Sequence, residues 1–189
     1  MKVLGVLVVA FTAVGFSVAD ATSTDSGALN ASEVTTLVFS TGAIPGGGSP
    51  AGHGANSIDV YGWHWGISGT ASSAGHGGHV KMGSIIVTKS IDRASPVLFR
   101  ACATGQHLGT ATIYFDEPAA GGTAGGYTTY MTITLSNVWV SADSLDGVTT
   151  LAGEELPKES LTLNFTSAAI TSTPPGGVST TYSWKGVIG

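Results

Sequence analysis

The sequence lacks several features on which disulfide-bonded, nucleic-acid-binding and strongly charged proteins depend. It holds a single cysteine, Cys102, so no disulfide can form within the chain and stability has to come from packing or assembly. Charged residues make up only 10% of the chain, with 7 Lys or Arg against 12 Asp or Glu. The basic residues are scattered rather than clustered, which excludes a phosphate-binding surface and therefore a nucleic-acid partner.

The motifs that identify common enzyme classes are also missing. There is no Gly-x-Ser-x-Gly elbow, no Walker loop and no His-Glu-x-x-His motif. His76 and His79 have a metal-like spacing, but no Cys, Asp or Glu lies within 10 residues of the pair, and zinc needs three or four ligands. The adjacent acids 116–117 and 154–155 flank Gly/Pro turns, where solvated carboxylates are common. We therefore expect no catalytic residue, no metal site and no cofactor.

One long uncharged apolar run is present, at the start of the chain. Lys2 precedes an apolar stretch from Val3 to Phe16, and small residues follow as far as Ala21. This order is typical of a Sec signal peptide, and the run is too short to cross a bilayer. We expect residues 1–21 to be removed, with cleavage after Ala19 as an alternative, and the mature chain to be secreted, on the cell surface or periplasmic. A buried N-terminal helix or strand is the other interpretation.

After a polar arm at residues 22–32, which we expect to be flexible, short β-type segments alternate with Gly/Pro turns. Runs of β-branched and aromatic residues, or strict alternation of apolar and polar residues, predict strands. These segments are 34–40, 58–66, 81–89, 110–115, 127–135, 138–141, 160–165 and 179–188. The Gly-rich stretch 119–126 predicts a hairpin turn. Residues 33–189 are thus predicted to be mainly β, a small antiparallel barrel or two-sheet sandwich.

One short flanking α-helix is predicted, at about residues 95–104. Ser95 suits the N-cap, Pro96 the first helical position, and Gly105 the left-handed residue after the last turn. Three residues at helical spacing form its apolar face: Leu98, Ala101 and Cys102.

Alternation within the strand 58–66 predicts which of its side chains share a face. It places His64 on the face of Ile58 and Val60, and Trp63 and Trp65 on the opposite face. We interpret His64 as a packed core or barrel-wall residue.

Three stretches resemble the haemolysin-coregulated protein (Hcp) family, the tube proteins of type VI secretion. The first stretch is Trp63-His64-Trp65-Gly66. The second, which is the most specific, runs from Lys89 to Gly105, and the third runs from Leu156 to Phe165. The resemblance covers the chain from about Glu33 to the end. It marks these positions as structural: Trp63, Trp65, Gly66, Lys89, Asp92, Ser95, Pro96, Leu98, Phe99, Cys102, Gly105, Leu163 and Phe165.

The resemblance implies a β-barrel of two sheets with one helix, and hexameric rings that stack into a hollow tube without catalysis. In this family the long loop after the Trp-Gly strand reaches the neighbouring ring, and residues 66–78 hold that place here. The assembly-loop candidates are Gly66, Thr70, Ser73, Gly75, His76 and Gly78. The implied partners are copies of this chain, with secretion machinery or cargo in the lumen, and no membrane after signal cleavage.

Two features depart from the family pattern. Its tube proteins normally assemble in the cytoplasm without a signal peptide, and the loop 70–78 here consists of small residues and one histidine. We therefore expect an exported variant that forms rings, tubes or filaments outside the cytoplasm. The alternative is a secreted glycan-binding β-sandwich, in which sugars stack on an aromatic platform made of Tyr61, Trp63, Trp65, Trp139 and Trp184.

Overall fold

A computed structural model describes residues 33–41, 44–48, 51–69, 80–119, 126–147, 157–174 and 176–186. The predicted signal peptide and arm lie outside these ranges, as do His76, His79 and the acids at 154–155. Within the described ranges, no helix is long and apolar enough to cross a membrane.

The described residues form eleven strands and one helix. The strands are β1 (Val34–Phe39), β2 (Ile58–His64), β3 (Ile67–Gly69), β4 (Val80–Met82), β5 (Ile85–Ser90), β6 (Thr110–Pro118), β7 (Tyr127–Ser136), β8 (Trp139–Asp146), β9 (Lys158–Asn164), β10 (Ser167–Ser172) and β11 (Thr180–Lys185), and the helix is α1 (Ser95–Thr104). The mainly β fold with one short helix is therefore confirmed.

Nine of the strands form one antiparallel sheet in the order β11-β10-β7-β6-β1-β2-β5-β9-β8. The other two, β3 and β4, form a separate two-stranded ladder. Strands β11 and β8 lie at the two ends of the large sheet, and α1 packs beside β8. The predicted hairpin between residues 110–115 and 127–135 is present as β6 and β7.

The core lies on the inward face of the sheet, where side chains recur at every second position. Leu161 and Leu163 of β9 are fully buried, as are Ile85 and Val87 of β5. Helix α1 adds Leu98, which is also fully buried. A short helix thus covers one part of a core that is otherwise made by strands.

The C-terminal end of α1 agrees with the prediction, whereas its N-cap does not. Gly105 has a φ of 63°, the left-handed conformation expected of the residue that ends a helix. At the start, however, Ala94 is the N-cap and the Ser95 side chain does not cap the helix. The Asp92 carboxylate accepts a hydrogen bond from the Ala94 N–H at 2.8 Å. The helix thus spans the predicted residues, and only its N-cap lies one residue earlier than predicted. Cys102, expected to be buried, is half-buried.

A β-bulge in β2 moves His64 away from the face of Ile58 and Val60 on which alternation had placed it. Val60 pairs with Lys89 but Gly62 pairs with Thr88, which leaves Tyr61 as an extra residue. After the bulge, Trp63 lies opposite the buried Val87. His64 lies opposite a partly exposed residue of β5 and is itself exposed, so its placement in the core was wrong.

Three other elements differ from the prediction. The segment 81–89, predicted as one strand, is divided into β4 and β5 at residues 83–84. Residues 67–69, predicted as loop, form β3 because they pair with β4. Strand β10, absent from the prediction, lies between β7 and β11 in the sheet.

Candidate functional site

The first residues of the predicted assembly loop form β3, which pairs with β4 on the far side of the loop. Ile67 pairs with Met82, and Gly69 pairs with Val80. The loop candidates Thr70, Ser73, Gly75, His76 and Gly78 lie outside the described residues. The structure therefore places the base of the loop on a two-stranded hairpin stem that is separate from the large sheet.

The stem is attached where two glycines approach each other. The Gly83 N–H donates a hydrogen bond to the Gly66 carbonyl at 2.9 Å. A Cβ on Gly83 would lie 3.1 Å from the Gly66 oxygen, so a larger residue at position 83 would crowd this contact. The indole N–H of Trp65 donates to the Gly83 carbonyl at 3.0 Å. The motif residues Trp65 and Gly66 thus hold the stem at the end of β2.

An apolar pocket of about 350 Å³ opens beside this stem. It is bordered by the stem, the end of β2, and strands β7, β10 and β11. Its lining includes four aromatic side chains and two methionines: Trp63, Trp65, Tyr182, Trp184, Met82 and Met131. The ring of Phe165 contacts both Trp65 and Trp184 edge to face, with centroid distances of 5.8 and 6.2 Å. Phe165 therefore supports the aromatic wall of the pocket from within the core.

The aromatic residues that were predicted to form a sugar-stacking platform do not lie together on one surface. Trp63, Trp65 and Trp184 converge on the pocket, whereas Trp139 packs on His107 and does not line it. Among the described residues, no charged or amide side chain lines the pocket. The described lining is therefore mainly apolar and aromatic.

A buried ion pair connects the most specific motif to β9. The Lys89 ammonium lies 2.6 Å from the Glu159 carboxylate, and both side chains are fully buried. The ammonium also donates to Asp92 at 2.8 Å and to Ser95 at 3.1 Å, while the Ser95 hydroxyl donates to Glu159. These contacts fix the first turn of α1 to β5 and β9.

Glu159 was not among the predicted site residues, although alternation could have identified it. It lies two residues before Leu161 in β9, on the same inward face. Lys89 likewise continues the inward face of Ile85 and Val87 in β5. The sequence signal for the ion pair was a pair of opposite charges at inward positions of two strands. It indicates an ion pair only when the two strands are known to be neighbours.

The remaining motif residues are distributed between the core and the surface. Leu163 and Phe165 are fully buried, whereas Phe99 is 53% exposed on the outer face of α1. Pro96 lies in the first turn of α1 and is exposed. The motif thus combines core positions with an apolar residue that faces outward.

The acid pair at 116–117 contains a buried carboxylate with structural contacts. Asp116 is 1% exposed and lies 2.8 Å from His53 Nε2. Its other oxygen accepts a hydrogen bond from Thr129 at 2.6 Å. The ring of His53 stacks on Tyr114 at a centroid distance of 3.9 Å, so these contacts attach the segment between β1 and β2 to β6 and β7. Within the described ranges, no three His, Cys, Asp or Glu residues are grouped to hold a metal ion.

Sequence comparison places most of the chain in a known family. The family described as "Type VI secretion system effector, Hcp" matches residues 21–171. No curated protein is significantly similar to the chain in sequence.

The fold is similar to several solved structures. Hcp1 from Salmonella typhimurium is 26% identical with a TM-score of 0.65, covering 82% of this chain and 95% of that one. A type six secretion system protein is 20% identical with a TM-score of 0.67, covering 80% and 94%. A type VI secretion system effector from Yersinia pestis is 20% identical with a TM-score of 0.62, covering 80% and 98%.

Proposed function

The chain belongs to the Hcp family of type VI secretion, and we propose that it is a non-enzymatic subunit whose rings assemble outside the cytoplasm. Members of this family are tube subunits that form stacked hexameric rings. The family match over residues 21–171 is the observation that carries the proposal, because it includes all the described elements from β1 to β9. Self-association is thus the function, and copies of the chain are the partner.

The two ends of the sheet favour contacts with other copies. In the described part of the chain, β11 pairs with β10 alone and β8 pairs along its length with β9. An unpaired strand edge presents backbone N–H and C=O groups to which another chain can add. Apolar side chains are also exposed near β8, at Ile91, Phe99 and Leu145. Burial of these groups between neighbouring subunits would favour assembly.

Assembly is tested by imaging the mature protein with negative-stain electron microscopy and measuring its mass by light scattering. We expect rings of six subunits, alone or stacked. A protein that stays monomeric at micromolar concentration and shows no rings would contradict the proposal.

Export is the second part of the proposal. The family match begins at residue 21, which leaves the apolar start of the chain outside the family region. This supports residues 1–21 as a signal peptide. We place an arm at residues 22–32, before the barrel domain at residues 33–189. Cargo or secretion machinery would then meet the ring after export, in the periplasm or outside the cell.

N-terminal sequencing of protein recovered from the medium or periplasm tests the leader. We expect the mature chain to begin at Thr22, because cleavage follows small residues. Recovery of extracellular protein that still carries Met1 would show that the apolar run is not a cleaved signal and that another route exports the chain.

A further inference from the structure

A third carboxylate adjoins the buried ion pair beneath α1. Asp143 of β8 pairs with Leu161 of β9, whose buried side chain faces inward with that of Glu159. Both carboxylate oxygens of Asp143 and one oxygen of Glu159 are enclosed, and no hydrogen-bond donor in the described ranges reaches them. The other Glu159 oxygen already accepts hydrogen bonds from Lys89 and Ser95. Three buried acceptor atoms therefore lack a donor.

The charges around Asp143 do not balance. Strand β9 contributes Glu159, β5 contributes Lys89, and the connection to α1 contributes Asp92, so one ammonium faces three carboxylates. The other charged side chains of the adjoining elements, Arg93, Arg100, Asp146 and Lys158, are exposed. A buried acceptor without a donor is costly, and two enclosed carboxylates repel each other, so both costs would fall if one carboxylate gained a proton.

We propose that Asp143 and Glu159 form a proton-binding site, in which one shared proton joins the edge strand β8 to the ion pair that holds α1. The proton converts an oxygen of Asp143 from an acceptor into an O–H donor directed to Glu159. Lys89 remains paired with Glu159 throughout. The site then makes the attachment of β8 sensitive to acidity.

The electrostatics of the site support this assignment. Burial, followed by repulsion from Glu159, raises the pKa of Asp143 from 3.8 to about 6, although Lys89 opposes the rise. Because the folded-state pKa is raised, the stabilisation from Asp143 is fully present below its unfolded value and is lost as the pH rises through about 6. The contribution of Asp143 to the stability of the fold should accordingly be larger in a mildly acidic compartment than in a neutral one.

The substitution Asp143→Asn tests the site, because an amide supplies a permanent donor at the same position. We expect D143N to raise the folded-to-unfolded ratio more at pH 8 than at pH 5, by a factor of about ten, since the wild-type carboxyl ionises between these values. Asp146→Asn is the matched control, an exposed acid on the same strand, and should have the same effect at both pH values. Denaturant unfolding of wild type, D143N and D146N at both pH values gives the comparison. Equal effects of D143N at pH 5 and pH 8 would overturn the proposal.

Infrared spectroscopy gives a second test that does not depend on how well the variant folds. At pH 5.5 the wild-type protein should show a carboxylic acid C=O band that disappears by pH 8, because ordinary acids are already ionised at the lower pH. Isotopic labelling of aspartate should shift this band. An unshifted band would place the proton elsewhere, and absence of the band would show that Asp143 is ionised; either result would overturn the proposal.

Discussion

Replacing Lys89 with methionine is expected to lower the free energy of unfolding by about 3–5 kcal/mol, because it leaves the buried Glu159 carboxylate without its ammonium partner. Both side chains are fully buried and their charged atoms lie 2.6 Å apart, so water cannot replace the lost contact. The Ser95 hydroxyl remains as a donor to Glu159 but carries no charge. Denaturant unfolding followed by circular dichroism measures the loss.

Two further variants separate the buried charge from the lost side-chain packing. Lys158→Met changes an exposed lysine that precedes Glu159 in the same strand, and should have little effect on unfolding. The double substitution of Lys89 and Glu159 by methionine removes both charges, and should be more stable than K89M alone. If K89M were as stable as wild type, the ion pair would not be what holds α1 to the sheet.

Shortening the hairpin beyond β3 and β4 is expected to abolish the stacking of rings while each ring still forms. Gly69 and Val80 are paired across the ladder, so Asn-Gly in place of residues 70–79 would give a two-residue turn that suits the flanking strands. Ten residues are more than a hairpin turn needs, and such long loops in compact domains are usually functional. Electron microscopy should show single rings, and light scattering should still give the mass of one ring.

The Gly-rich turn between β6 and β7 provides the matched control. Ala119 N–H donates to the Gly126 carbonyl at the base of that turn, so Asn-Gly can likewise replace residues 120–125. This variant should still stack, because the predicted contact lies on the other hairpin. Long filaments formed by the variant shortened at 70–79 would place the stacking surface on the barrel rims or on the arm at 22–32.

Alternation of apolar and polar residues was enough to predict most strands of the large sheet, because their inward side chains are large. Strand β10 was missed since its sequence, Ser-Ala-Ala-Ile-Thr-Ser, contains only one large apolar residue. Its place in the sheet depends on pairing with β7 and β11 on either side. Strand β3 was missed for a similar reason, because three residues form a strand there only by pairing with β4. Pairing between distant residues cannot be read from local composition.

The buried cluster around Lys89 could be predicted only in part from the sequence, because some of its residues come from distant strands. The motif identified Lys89, Asp92 and Ser95 as structural, and the structure brings these three together at the start of α1. Glu159 and Asp143, which complete the cluster, come from strands about 70 and 54 residues further along the chain than Lys89. Their contribution required the register that places β5, β9 and β8 side by side.

The bulge at Tyr61 means that the path of β2, as much as its composition, decides which side chains line the pocket. If β2 kept every residue but paired without the bulge, plain alternation after Val60 would turn His64 inward and both tryptophans outward. The aromatic wall of the pocket would then be exchanged for a glycine and a histidine. Deleting Tyr61 would instead remove the bulge and leave Trp63 inward and His64 outward, because Gly62 would follow Val60 directly. In comparisons with relatives, a one-residue gap at Tyr61 is therefore compatible with an unchanged aromatic wall.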